Sequence, residues 1–132
     1  MIALDTNVLV RLIVHDDEVQ ARVVERLLIR ARRDRTPLFV ADVVLCELVW
    51  VLTRRLGLGR AEVADAIDRL LRTELVVVAQ AAVIARALAA YRTGRGDFAD
   101  YVIREQAFAS EATEVVTFDR TLKGEAGFRL LT

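Results

Sequence analysis

The sequence predicts an α/β protein in which helices flank a central parallel sheet of about four to five strands, a three-layer α/β/α arrangement. Short apolar runs typical of buried strands alternate along the chain with longer segments whose apolar residues recur at helical spacing. This alternation indicates a parallel sheet, because right-handed crossovers pack each helix back onto the sheet. The length of 132 residues is that of one domain, and we predict a single domain over 1–132.

The first half of the chain contains two apolar runs that indicate strands and four segments that indicate helices. Pro37 ends the long amphipathic segment before the second run, and Asp42 is placed to cap the helix after it. Gly57 and Gly59 end that helix. We predict strands at 1–4 and 38–41 and helices at 8–13, 16–33, 42–56 and 60–73.

The second half of the chain continues the alternation. A β-branched run suits a central parallel strand, and the alanine-rich helix after it stops before Gly94 and Gly96. Asp97 opens another helix, and Asp119 directly follows the next strand. We predict strands at 75–78, 115–118 and 128–131 and helices at 80–91 and 97–111.

Composition excludes several kinds of site. One cysteine, Cys46, cannot form an intramolecular disulfide, and a single histidine, His15, leaves no His/Cys set for zinc. The 19 basic and 19 acidic residues balance, so net charge does not indicate a nucleic-acid partner. Apolar residues make up 55%, and we expect part of this excess at an interface. No apolar stretch approaches about 18 residues and no signal segment is present, so we expect a soluble, cytoplasmic protein.

Two aspartates directly follow predicted strands. In an open parallel sheet, the carboxyl ends of the strands form the crevice where ligands bind, which makes Asp5 and Asp119 candidate site residues. For either residue alone, capping of the helix or turn that follows is an equally good explanation.

Glu47 is the one charged residue within the apolar segment 43–52, so we expect it to lie on a largely buried helix. A buried carboxylate requires compensation by a cationic partner or a metal ion. A salt bridge to a neighbouring arginine and a Mg²⁺ site both remain open.

Asp97 and Asp100 lie three residues apart and therefore share one face of the first turn of their helix. Asp97 is placed as the N-cap and helper, and Asp100 is the better candidate ligand. Four converging carboxylates would repel one another unless divalent cations neutralise them. Oxygen ligands suit Mg²⁺ or Mn²⁺, and phosphodiester hydrolysis is the chemistry that such ions support.

Four segments of the chain, in this order and spacing, resemble the PIN-domain family and, within it, the VapC-type toxins of bacterial and archaeal toxin–antitoxin modules. The segments are Leu4-Asp5-Thr6-Asn7-Val8-Leu9-Val10-Arg11, Cys46-Glu47-Leu48, Asp97-Phe98-Ala99-Asp100-Tyr101 and Val116-Thr117-Phe118-Asp119-Arg120. The resemblance covers nearly the whole length. It implies a Mg²⁺-dependent endoribonuclease that a cognate antitoxin holds inactive.

The same resemblance implies roles for individual residues and partners. The acidic positions of the family fall on Asp5, Glu47, Asp100 and Asp119, with Thr6 and Asn7 supporting the first and Thr117 preceding the last. It further implies a homodimer that binds RNA as substrate and meets DNA only through its antitoxin. A hydrophobic groove for the antitoxin would involve Trp50, Leu52 and the helices up to Leu71, although Trp50 fits the core equally well.

Three alternatives differ in class. A haloacid-dehalogenase phosphatase also begins with an aspartate after its first strand, but its second aspartate would fall on Asn7 here. An RNA-processing PIN nuclease would share the site and lack the antitoxin. A non-catalytic interaction module would use the acids as caps and salt bridges.

Overall fold

The computed structural model describes residues 1–132 and shows two compact units, Met1–Ala79 and Gln80–Thr132. Short parallel strands alternate with helices throughout, which confirms the predicted α/β class. The strands are β1 Ile2–Ala3, β2 Leu38–Phe39, β3 Val76–Val77, β4 Val115–Thr117 and β5 Phe128–Leu130. The helices are α1 Thr6–Ile13, α2 Glu18–Asp34, α3 Asp42–Trp50, α4 Arg60–Arg72, α5 Ala81–Thr93 and α6 Phe98–Ala109.

The first unit contains a three-stranded parallel sheet in the order β1-β2-β3. Its strands are two residues long, but the chain beyond them keeps the pairing, since Leu4 N–H donates to Phe39 O and Val40 N–H donates to Val77 O. Leu4 and Val40 are buried at the points where their strands end. The residue that follows Leu4, Asp5, is exposed at the end of this sheet.

The end of α3 departs from the prediction of one α-helix over 42–56. The α-helix ends at Trp50, and Val51–Arg55 forms a π-helical turn. The Thr53 hydroxyl donates to the carbonyls of Val49 and Trp50. These side-chain bonds compete with the regular backbone hydrogen bonds of the helix. Asp42 is the first residue of the helix and Ala41 is the N-cap, so the predicted cap is one residue out of place.

The second unit contains a parallel pair of strands, β4 and β5. It also contains the helices α5 and α6, which are neighbours in the sequence and pack against each other. Tyr91 and Phe98 meet edge to face with ring centroids 6.0 Å apart. The predicted central sheet of about four to five strands is therefore present as hydrogen-bonded sheets of three and two strands. The strands are only two or three residues long and therefore form few hydrogen bonds with their neighbours. The sequence pattern did not predict strands this short. None of the helices is both long enough and apolar enough to cross a membrane.

The buried Glu105 pairs with one arginine from each of the two helices of the second unit. Glu105 Oε1 accepts from Arg104 Nη2 at 3.1 Å, and Glu105 Oε2 accepts from Arg86 Nε at 3.3 Å. The Arg104 guanidinium also lies 5.1 Å from the ring centroid of Tyr101 and 5.8 Å from that of Phe128. Glu105 thus holds in place a cation that packs between two aromatic rings.

The Glu105 pair gives a test of what stabilises the second unit. We expect Glu105→Gln to lower the free energy of unfolding by about 3 kcal/mol, because it leaves a buried arginine charge uncompensated. Glu114→Gln is the matched control, since the Glu114–Arg129 pair is exposed and such pairs contribute less than about 1 kcal/mol. Urea unfolding measures both variants. Equal losses in the two variants would contradict this account.

Candidate active site

Asp5 is the N-cap residue of α1, yet its carboxylate makes no capping hydrogen bond. The Asp5 backbone carbonyl begins the helix instead, accepting from the N–H groups of Val8 and Leu9 at 3.1 and 3.4 Å. Capping therefore does not explain the carboxylate of this residue. Its side chain is exposed at the end of β1, where ligands bind in open parallel sheets.

Glu47 is exposed, so the prediction of a buried carboxylate is wrong. Helical spacing puts Val43, Glu47 and Trp50 on one face of α3, and all three are exposed. The partner of Glu47 is the buried Thr6, whose hydroxyl donates to Glu47 Oε2 at 3.0 Å. The hydrogen bond comes from a neutral hydroxyl, so it orients the carboxylate without neutralising its charge.

The two acids of the first unit line one cleft of about 390 Å³. The cleft is lined by Asp5, Thr6, Asn7, Glu47, Trp50, Val51 and Arg55. Thr6 supports Glu47 by its hydrogen bond, whereas the resemblance implied support for Asp5. Trp50 is 56% exposed, which excludes the core interpretation, and Leu52 is buried, which excludes it from the surface groove that we predicted.

In the second unit, Asp97 is the N-cap residue of α6, as predicted. The Asp97 backbone N–H donates to Asp100 Oδ2 at 2.8 Å, so the side chain of Asp100 reaches back over the first turn. Burial raises the pKa of Asp100, and the negative charges of Asp97 and Asp119 raise it further, against the opposing effect of the Asp97 N–H. Asp100 is therefore close enough to Asp97 and Asp119 for their negative charges to disfavour its ionised form.

Asp119 is held by threonine hydroxyls on both sides. Its backbone N–H donates to Thr117 Oγ1 at 3.0 Å, and its Oδ1 accepts from the Thr121 N–H at 2.9 Å and the Thr121 hydroxyl at 2.7 Å. These bonds from Thr121 lower the pKa of Asp119. Asp119 thus caps the short 3₁₀ turn Arg120–Leu122 with one oxygen, which confirms the capping interpretation for that oxygen.

Sequence reasoning missed Arg95, which ties together the two loops that carry the acids of the second unit. Arg95 Nε and Nη2 donate to the carbonyls of Thr121 and Lys123 at 3.2 and 2.6 Å. The Arg95 backbone N–H donates to Glu125 Oε1 at 2.8 Å, and this bond is the main cause of the lowered pKa of Glu125. The glycines on either side of Arg95 were the available signal.

Gly94 and Gly96 are required by the close approach of Tyr101. The buried Tyr101 hydroxyl accepts from the Gly96 N–H at 3.0 Å. A Cβ at position 94 would collide with that hydroxyl, and a Cβ at position 96 would lie 2.6 Å from Leu122 Cδ2 and 3.1 Å from Asp100 Oδ2. The loop before α6 can therefore lie directly beside Asp100 because Gly94 and Gly96 have no side chains.

The donor set fits a hard divalent cation. Every candidate ligand is a carboxylate, and carboxylate oxygens are donors that suit hard divalent cations. Asp100, with a pKa raised partly by two other carboxylates, is in an environment that a cation would relieve. The structure contains no group of three or more His, Cys, Asp or Glu side chains arranged to hold a metal ion.

Comparison with known proteins gives one family. The chain matches the PIN domain over residues 2–125, a range that includes Asp5, Glu47, Asp100 and Asp119. None of the curated proteins compared with the chain matches it.

The opposite pKa directions of Asp100 and Asp119 predict opposite effects of neutralising them. A raised pKa means that ionisation of Asp100 destabilises the fold, so we expect Asp100→Asn to raise the Tm at neutral pH in EDTA. A lowered pKa means that ionised Asp119 stabilises the fold, so Asp119→Asn should lower the Tm there.

Both differences should shrink as the pH falls, because wild-type carboxyls then become neutral as well. For Asp100 the difference is complete above its raised pKa and is lost below the ordinary value of 3.8. For Asp119 the difference is complete above 3.8 and is lost below its lowered pKa. Scanning calorimetry from neutral to acid pH measures this, and shifts of the same sign in the two variants would contradict the assignment.

Proposed function

Because the chain belongs to the PIN-domain family, whose members are generally metal-dependent nucleases, we propose that it is a Mg²⁺-dependent endoribonuclease that hydrolyses RNA phosphodiester bonds. The observation that carries this proposal is the match to the PIN domain over residues 2–125, a range that contains all four candidate acids. In the second unit, Asp100 is partly buried beside the negative charges of Asp97 and Asp119, an environment that a bound cation would relieve.

The residues that would hold the metal are Asp5, Glu47, Asp100 and Asp119. When bound, a divalent ion supplies the positive charge that activates an attacking water and stabilises the leaving oxygen. Mn²⁺ should substitute, because it accepts the same oxygen ligands. We take the whole chain as one functional domain, since the family match extends across both units.

The other polar residues would orient these acids. Thr6 fixes one oxygen of Glu47, and Thr121 fixes one oxygen of Asp119. Thr117 holds the backbone of Asp119, and Asp97 N–H holds one oxygen of Asp100. Asn7 lines the cleft with Asp5 and is placed to contact substrate or ordered water there. Glu47, Asp100 and Asp119 thus each keep an oxygen for a ligand while a hydrogen bond from the protein orients the carboxylate.

We also propose that the nuclease is the cytoplasmic toxin of a type II toxin–antitoxin module, a homodimer bound by a cognate antitoxin that alone connects it to DNA. The four motif segments and the 55% apolar composition support this. So do large apolar side chains exposed along α2, namely Val19, Val23 and Ile29. An RNA-processing nuclease without an antitoxin is the outcome that would replace this finer assignment.

The nuclease proposal predicts metal-dependent RNA cleavage by the purified chain. We expect Asp5→Asn or Asp100→Asn to reduce cleavage of a mixed cellular RNA pool more than about 100-fold, the upper end of the loss expected for a merely supporting residue. The measurement is fragment release in Mg²⁺ beside an EDTA control. Asp34→Asn is the matched control, since that exposed aspartate pairs with Arg33 and should leave cleavage unchanged. Cleavage that survives EDTA or both site variants would overturn the proposal.

The toxin proposal has a separate test in cells. We expect expression of the chain to arrest growth, because a free endoribonuclease degrades cellular RNA, and co-expression of a short open reading frame beside its gene to restore growth. The Asp5→Asn variant serves as the inactive control. Arrest that no neighbouring reading frame relieves would favour the nuclease without an antitoxin.

A further inference from the structure

We propose that the cleft of the first unit is a nucleotide subsite for single-stranded RNA, in which Trp50 stacks on a base and Arg55 contacts a backbone phosphate. This inference rests on the proposed nuclease function and names how that site would hold its substrate. The cleft, about 390 Å³, falls within the range of roughly 300–1,000 Å³ for small-molecule sites. Both residues line it together with Asp5 and Glu47.

The exposure of Trp50 is the first observation. Its side chain is 56% exposed on a helix whose other faces bury Leu45, Leu48 and Val49. Trp50 comes one helical turn after Glu47, so the indole and the carboxylate project from the same face into the same cleft. Trp50 is thus a large, solvent-exposed aromatic ring beside Glu47, a candidate metal ligand. It is placed to contact a substrate that binds at Glu47.

The π-helical turn Val51–Arg55 is the second observation. Such turns are rare, occur mostly as single turns and are frequent at functional sites. This one begins directly after Trp50 and ends at Arg55, and the cleft is lined by both residues. The wider turn changes which residues share a face with Glu47, and it places an exposed guanidinium in the cleft.

The lining of the cleft favours RNA over a protein partner. An aromatic ring with a nearby cation is the combination that binds single-stranded nucleic acid, through base stacking and phosphate contact. An apolar anchor from a protein would need apolar walls, but Trp50 and Val51 are the two apolar residues among the seven that line the cleft. Asn7 adds an amide that can hydrogen-bond a base edge or a sugar hydroxyl.

The test uses fluorescence, because Trp50 is the one tryptophan of the chain. The purified protein is titrated in EDTA with a short single-stranded oligoribonucleotide, so that binding is measured without cleavage. We expect the emission to be quenched as a base stacks on the indole. An abasic oligomer with the same number of phosphates should bind more weakly and leave the emission unchanged. Equal quenching by the abasic oligomer would overturn the proposal.

Variants separate stacking from simple apolar contact. We expect Trp50→Leu to weaken RNA binding roughly tenfold and Trp50→Phe to weaken it much less, since phenylalanine retains a ring that stacks. Affinity is measured by anisotropy of labelled RNA. Arg55→Gln should reduce the salt dependence of the RNA affinity by the contribution of about one phosphate contact. Arg54→Gln should leave the salt dependence unchanged, because Arg54 is outside the cleft lining. Equal losses for the leucine and phenylalanine variants would contradict stacking.

The outcomes also distinguish this inference from the function on which it rests. RNA cleavage without quenching of Trp50 would contradict the subsite and support the nuclease function. Quenching without cleavage in Mg²⁺ would contradict the nuclease function and support an RNA-binding cleft. A Trp50 emission that changes with protein concentration in the absence of RNA would assign this face to contact between copies of the chain and overturn the subsite.

Discussion

The partial burial of Asp100 beside two other carboxylates is the constraint on which the candidate site of the second unit depends. Asp100 has a raised pKa because it is partly buried and because Asp97 and Asp119 are also negative. Like charges at short range disfavour ionisation, and a protein can keep them together only if other interactions hold the backbone in place. The elements around these acids are best understood as the scaffold that supplies those interactions.

That scaffold uses neutral donors for the carboxylates. Threonine hydroxyls and backbone N–H groups bond to Glu47, Asp100 and Asp119, and such donors fix direction without cancelling charge. The guanidinium of the nearby Arg95 donates to the backbone carbonyls of Thr121 and Lys123. The arrangement preserves negative charge where a hard cation would bind.

Much of the fold was predictable from local pattern. Strand and helix positions agree with the structure to within a few residues, because apolar spacing and the turn residues at Pro37, Gly57 and Gly94 determine them. The π-helical turn was not foreseen, since it depends on the Thr53 hydroxyl competing for helix carbonyls. The division into sheets of three and two strands depends on hydrogen bonds between segments far apart in the sequence. The residue pattern within one segment does not reveal which distant segment it pairs with.

The candidate site was predictable in part. The family motifs supplied the four candidate acids, whose role stays a prediction. The burial predicted for Glu47 was wrong, because an apolar helix can still present one face to solvent. Thr6 as the partner of Glu47 joins positions 41 residues apart, and the contacts of Arg95 with Thr121 and Lys123 join positions 26 and 28 residues apart. Such pairs arise from tertiary placement, and no local spacing rule reveals them.

The most direct measurement of the central claim is the melting temperature of metal-free protein as Mg²⁺ is added. A ligand that binds the native state stabilises it in proportion to the logarithm of its concentration above the Kd. We expect the Tm to rise with Mg²⁺ in the wild type, and Glu47→Gln and Asp100→Asn each to abolish most of the rise. A Tm that does not respond to Mg²⁺, or a response unchanged in both variants, would contradict the proposal that Glu47 and Asp100 help to hold a metal ion.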